Sequence, residues 1–244
     1  MTNDEAAAPD DPTSWLETIE VATAALMQTL EALDDENAHA STGLPGWTRG
    51  HVVTHLARNA DGLVNLLTWA RTGVETPMYA SRAQRNADIE AGSTRPAAAL
   101  RDELGRSHLR LMAAARELPL ESWSAPIAWG QHDTPGTADV VPKLRQVEVE
   151  VHHVDLHLGY TPSDWPADFV SRMLHVTAAD QPRDDGQSFV LRATDLRRAY
   201  DVGDSGPTIS GRSEALLAWL IGRSDGSDLQ VDPTGPLPQL GRWR

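Results

Sequence analysis

Apolar residues recur along this chain at helical spacing for long stretches, and segments rich in Pro, Gly and polar residues separate those stretches. Ile19, Ala22, Leu26, Leu30 and Leu33 follow one another three or four residues apart, the stripe of an amphipathic α-helix. Ser14-Trp15-Leu16-Glu17 ahead of them has the S-x-x-E form of a capping box. A first helix is therefore predicted over 15–33. Pro45 and Gly46 interrupt the pattern. Thr48 then caps a second helix, 49–71, with Val52, Leu56, Leu63, Leu67 and Ala70 on one face and Gly73 as its stop. A short helix is predicted near 81–91. Ser93 or Thr94 starts the next long one, which accepts Pro96 in its first turn and runs to about Glu117. Residues 118–140, with Trp123, Trp129, Gly130 and Gly136, read as a loop.

The stretch VEVEVHHVDLHLGY (Val147–Tyr160) opens with the alternation of a strand. That alternation covers only five residues. Leu144, Val147, Val151, Val154 and Leu158, spaced three, four, three and four apart, form a helical stripe through the whole segment, with Gly159 as its stop. Four long helices in succession predict a bundle. The pattern changes after Tyr160–Pro166. Helices are predicted at 167–179 and 213–222, and short strands at 188–193, 199–202 and 229–231, which reads as a small α+β domain. The expected fold is thus α+β: a four-helix bundle over 14–160 and a C-terminal α+β domain over 166–244.

Composition narrows the function classes. No apolar run among the 244 residues approaches a membrane span, and the acidic, polar start has no signal-peptide pattern. A cytoplasmic protein with no membrane partner is expected. Thirty-five acidic residues against 21 basic ones give a net charge of −14, and no Lys/Arg cluster is long enough for a nucleic-acid surface. There is no cysteine, hence no protein thiol nucleophile, and a metal site must draw on His, Asp and Glu.

Glu148 and His152 stand four apart on the last bundle helix and project from one face beside the apolar stripe. His51 and His55 repeat the spacing on the second helix. Two bundle helices can bring such groups together, and two imidazoles with a carboxylate make a zinc-binding set that leaves coordination positions open. His153 and His157 rotate away from Glu148. Asp155, three residues beyond His152, either orients that imidazole or is a solvated helix residue. Trp47, Trp69 and Trp219 are expected in packing roles.

Gly46–His55 (GWTRGHVVTH) resembles the W-T-x-x-H-x-x-x-H motif of the DinB-like four-helix superfamily. Asn65–Tyr79 (NLLTWARTGVETPMY), with Arg85-Asn86 and Gly92-Ser93-Thr94, is similar to the mycothiol-dependent maleylpyruvate isomerases. The likeness continues through Val151–Leu156 and weakens in the C-terminal third. The resemblance implies a DinB-like bundle in which His55, Glu148 and His152 hold Zn2+, with His51 left at the mouth of the site or in solvent. It implies mycothiol as the thiol cofactor and cis–trans isomerisation of maleylpyruvate to fumarylpyruvate, in gentisate-type degradation of aromatic compounds. The partners it implies are a small dicarboxylate and a low-molecular-weight thiol. Arginine suits a dicarboxylate because it binds bidentately. Arg223 is expected to stabilise the substrate or its enolate, the alternative being an interaction with a helix C-terminus. Arg85 and Arg145 are expected at the substrate, the alternative being exposed surface. One position departs from the family's W-x-R-x-R-E pattern: Pro142–Glu148 retains Arg145 but has Val147 at the second arginine. That keeps open a mycothiol S-transferase acting on another electrophile, or a non-catalytic metal-binding DinB-like protein.

Overall fold

A computed structural model describes residues 12–130, 134–180, 188–241 and 243. The chain forms two compact units, the first ending at Gly159 and the second beginning at Tyr160. Among the described residues no helix is long and apolar enough to cross a membrane.

The first unit is built on four long helices, α1 (Ser14–Leu30), α3 (Arg49–Thr72), α5 (Ala97–Arg116) and α6 (Val140–Asp155). Two shorter ones, α2 (Asp35–Ala38) and α4 (Arg82–Ser93), lie in the connections. The predicted stripes of α1 and α3 are buried faces. On α6 the buried face runs through Arg145, Gln146, Val149 and Glu150, and Leu144, Val147 and Leu158 of the predicted stripe are only partly buried. Leu16, Ile19, Leu63, Leu67 and Met112 pack together at one end of the core, and Leu26, Leu30, Leu56, Leu100 and Val149 at the other. Gly73 closes α3 with φ 71, its N–H donating to the Trp69 carbonyl at 2.8 Å.

Helix ends differ from the sequence expectations for local reasons. Ser14 is already the first residue of α1, and the Thr13 side chain at the cap makes no capping bond, so the Ser14–Glu17 box does not form. Ser93 and Thr94 close α4 instead of opening α5. Helix α5 starts after Pro96, and the Ala97 N–H is satisfied by Asp35 Oδ1 of α2 at 2.7 Å, a carboxylate brought from elsewhere to a helix N-terminus. Helix α6 stops at Asp155, short of Leu158, because His157 turns into the left-handed region (φ 52) two residues ahead of Gly159. The predicted loop at 118–140 contains a hairpin, β1 (Pro126–Trp129) with β2 (Thr134–Thr137). The Trp129 ring covers Gly136, where a Cβ would lie 2.5 Å from it. A strand reading TPGT carries no alternation, so periodicity misses it.

The second unit has α7 (Ala167–Asp180), α8 (Ser213–Leu220) and a sheet of β3 (Phe189–Ala193), β4 (Arg198–Val202), β5 (Thr208–Gly211) and β6 (Gln230–Asp232). The strand order is β4-β3-β5-β6, with β3 and β5 parallel and the other pairs antiparallel. β5 is not among the predicted strands; it follows Pro207 and ends on Gly211, residues that count against a strand. Asp195 fastens the start of α8, accepting from Ser213 N–H at 2.9 Å and from Ser213 Oγ at 2.7 Å.

Candidate metal centre

The start of α3 sorts its two histidines. Thr48 Oγ1 accepts from the His51 N–H at 3.4 Å, and His51 Nδ1 accepts in return from the Thr48 N–H at 3.2 Å. With Nδ1 accepting, Nε2 of His51 carries the proton and donates to Glu90 Oε2 at 3.1 Å. Both ring nitrogens of His51 are thus engaged, one in the cap and one with Glu90 of α4. His55, one turn later, is buried and points into the bundle. The Trp47 indole stacks on His51 (centroids 6.1 Å) and meets His55 edge-on (5.5 Å).

Across the bundle, α6 presents Glu148 and His152. His55 Nε2 lies 2.8 Å from Glu148 Oε2 and 3.1 Å from His152 Nε2, and the third side of the triangle, His152 Nε2 to Glu148 Oε2, is 3.4 Å. These three residues form a group able to hold a metal ion. The three atoms are close enough for one ion to reach all of them at the usual Zn–N and Zn–O length of about 2 Å. Two nitrogens, one carboxylate oxygen and no sulfur suit zinc. The Glu148 side chain is 31% exposed, so the triangle has an open side.

The imidazoles have outer partners of opposite sign. His152 Nδ1 is 2.7 Å from Asp155 Oδ2. The carboxylate holds the proton on Nδ1 and turns the Nε2 lone pair inward. Asp155 is buried, so of its two sequence readings the orienting one holds. His55 Nδ1 instead accepts from Arg85 Nη2 at 3.0 Å. Burial brings His55 down to about 4, against a pull from Glu148 in the other direction, so it is neutral at neutral pH. For His152, burial is outweighed by its bonds to Asp155 and Glu148, and its pKa rises. Burial would raise Glu148, yet His55 and His152 hold it well below the carboxylate range. An ionised carboxylate with two nitrogens turned toward it is a cation-binding arrangement.

The arginines separate. Arg85 stands on His55, and its guanidinium carbon lies 5.6 Å from the Tyr79 ring centroid. Arg145 is 0% exposed, so it is neither a surface residue nor open to a ligand arriving from solvent. Its Nη1 donates to the Leu56 carbonyl at 2.8 Å and to Asn59 Oδ1 at 2.9 Å, tying α6 to α3 beside His55. Burial lowers it to about 10. Arg223, in the second unit, donates from Nη1 to the Ile221 carbonyl at 2.8 Å, and its guanidinium carbon lies 5.6 Å from the Trp243 ring. This contact lies at the C-terminal end of α8. His153 is buried with Nε2 2.8 Å from Thr29 Oγ1 of α1, a helix-to-helix tie outside the triangle.

Tyr79 was not singled out by the sequence. It is half-buried against α3, and its hydroxyl is within electrostatic reach of Glu148, Arg85 and Arg145. A usable signal was present: Gly62 interrupts a helix interior where a side chain is normally favoured, and the residues it makes room for are Met78 and Tyr79.

Residues 19–157 match the family described as the mycothiol maleylpyruvate isomerase N-terminal domain, and residues 164–242 match the corresponding C-terminal domain. No curated protein matches the sequence. Among solved structures, a mycothiol-dependent maleylpyruvate isomerase is 29% identical over 97% of this chain and 98% of its own, with a TM-score of 0.88. A histidine-to-alanine mutant of such an isomerase gives the same values. YfiT from Bacillus subtilis, described as a probable metal-dependent hydrolase with an unusual four-helix bundle topology, is 18% identical over 71% of this chain and 93% of its own, with a TM-score of 0.53. That last likeness is one of fold.

Proposed function

The chain belongs to the mycothiol maleylpyruvate isomerase family, and from that premise we propose that it converts maleylpyruvate to fumarylpyruvate in gentisate-type aromatic degradation, with mycothiol and zinc. The observation that carries this reading is the meeting of His55 Nε2, Glu148 Oε2 and His152 Nε2 within 3.4 Å of one another on two facing helices. His55, Glu148 and His152 would hold the ion. Zinc bound there supplies a Lewis acid that keeps an incoming thiol, ordinarily protonated at neutral pH, as its thiolate. With no cysteine in the chain, the thiol comes from a small molecule.

Rotation about a carbon–carbon double bond is slow. Thiolate addition makes that bond single, the adduct turns, and expulsion of the thiolate restores the alkene in the trans form. The chain's residues orient and stabilise. Asp155 fixes the His152 tautomer, Arg85 faces the substrate from beside His55, and Arg223 is assigned to the substrate or its enolate.

Replacing His55 with Ala tests the proposal. The expected protein is folded, free of zinc and inactive, whereas wild type shows one zinc and thiol-dependent isomerisation. Unfolding of H55A would make the metal structural, and wild-type activity without any added thiol would sink the mechanism. Val147, where the family pattern has an arginine, favours a second reading: a mycothiol S-transferase for another electrophile. Mass spectrometry separates the two, because isomerisation leaves the mass unchanged and transfer leaves a thioether.

A further inference from the structure

Thiolate addition to an alkene conjugated with a ketone moves negative charge onto the ketone oxygen. An isomerase of this kind therefore gains most from hydrogen-bond donors aimed at that oxygen. Arg85 has been placed beside His55. A second donor adjoins it and has no part in the scheme above.

Tyr79 reaches this position by a built route. The segment before it is pinned on α3, where Asn65 Nδ2 donates to the Pro77 carbonyl at 3.4 Å and the Met78 carbonyl at 3.3 Å. Gly62 lets the segment lie directly on the helix: a Cβ there would be 2.7 Å from Met78 Cγ and 3.3 Å from Tyr79 Cε1. The Arg85 guanidinium sits by the Tyr79 ring at 5.6 Å and donates to His55 at 3.0 Å, so metal ligand, guanidinium and phenol stand in sequence. Tyr79 is half-buried, not sealed. Burial, together with the Glu148 carboxylate, pushes its hydroxyl up to about 12 against the opposing pull of Arg85. The phenol is a hydrogen-bond donor throughout the physiological range.

We propose that Tyr79 is a catalytic residue whose O–H, together with an Arg85 N–H, donates to the enolate oxygen formed when the thiolate adds. The proposal rests on the isomerase reaction of the preceding subsection. A sulfur lone pair forms the C–S bond. The alkene π pair becomes the new C=C bond of the enolate, and the ketone π pair moves onto oxygen, where Tyr79 and Arg85 donate. After rotation the oxygen pair returns to re-form C=O, the enolate double bond shifts back to restore the alkene, and the C–S bond breaks to release the thiolate. No proton is transferred and no oxidant is needed.

Tyr79→Phe tests this, since it removes one oxygen atom and keeps the ring on Gly62 and beneath Arg85. Loss of a donor used only in the transition state lowers kcat and kcat/KM together, by roughly 100-fold, with KM unchanged. Zinc content and melting temperature stay at the wild-type values. Oxalate, a planar dianion resembling a pyruvate enolate, binds the zinc-loaded variant about tenfold more weakly by calorimetry. Active wild type with an equally fast Y79F overturns the assignment, and so does a rise in KM alone, which would make Tyr79 a ground-state contact. Wild type that fails to isomerise maleylpyruvate in the presence of mycothiol overturns the underlying reaction, and the role of Tyr79 with it.

Discussion

His55 and His152 offer the same atom to the centre and differ in what stands behind them. Asp155 on His152 Nδ1 is the usual arrangement, an acceptor that holds the proton outward and makes the ligand more basic. Arg85 on His55 Nδ1 is a donor. It favours the tautomer with the proton on Nε2, the nitrogen that a cation needs bare, and it adds a like charge nearby. Opposite effects on metal affinity follow. Asp155→Asn should weaken zinc binding by about 10- to 100-fold. Arg85→Met should tighten it by about tenfold, or ~1.4 kcal/mol. Chelator competition reads both, and weaker binding by R85M would show that Arg85 supports the ligand instead of competing for it. Residue types alone could not reveal this, because Arg85 lies 30 positions from His55 and on a different helix.

At the scale of elements, Gly62 runs against local preference. Alanine would favour the helix by about 1 kcal/mol, yet its Cβ would lie 2.7 Å from Met78 Cγ and 2.9 Å from the Met78 carbonyl oxygen. The backbone atom cannot move without carrying the segment with it. Gly62→Ala is therefore expected to destabilise the protein by about 1–3 kcal/mol in urea titrations. It should also lower activity while one zinc per chain remains, because Tyr79 is displaced and the ligands are not. A G62A protein of unchanged stability and activity would mean that the segment re-seats freely. The long helices were legible because a buried face imposes a 3.6-residue period over many turns. Their ends were less so: the N-terminus of α5 is satisfied by Asp35, 62 residues away in the chain. The hairpin strands and β5 contain or adjoin Pro and Gly (Pro126, Pro135, Gly136, Pro207, Gly211), which hides a strand pattern, and they are held by their pairing partners.

For the molecule as a whole, folding leaves a histidine that must shed its proton. His108 on α5 has a buried Nδ1 with no hydrogen-bond partner. Burial first, and then Arg145, lower it from 6.5 to about 4. Between those values the unfolded chain binds a proton that the folded chain refuses, so stability falls as pH drops from about 6.5 toward 4. His108→Gln should make the decline in melting temperature over that window shallower than in wild type, and parallel curves would exclude His108 as its source. At this scale too the division between one-dimensional and spatial information is clearest. Periodicity determined a bundle followed by an α+β domain, and i,i+4 spacing determined that Glu148 and His152 share a face, because both properties repeat within a single helix. Spacing left His51 and His55 equivalent, and the resemblance implied His55. The fold supplied the reason, by engaging both nitrogens of His51 in a cap and a neighbouring carboxylate. Only tertiary structure decided that three donor atoms lie within 3.4 Å of one another, that Arg145 is sealed in the core and that Tyr79 stands beside Arg85. A helix's own sequence specifies which way its side chains point, whereas what they meet depends on the elements packed opposite.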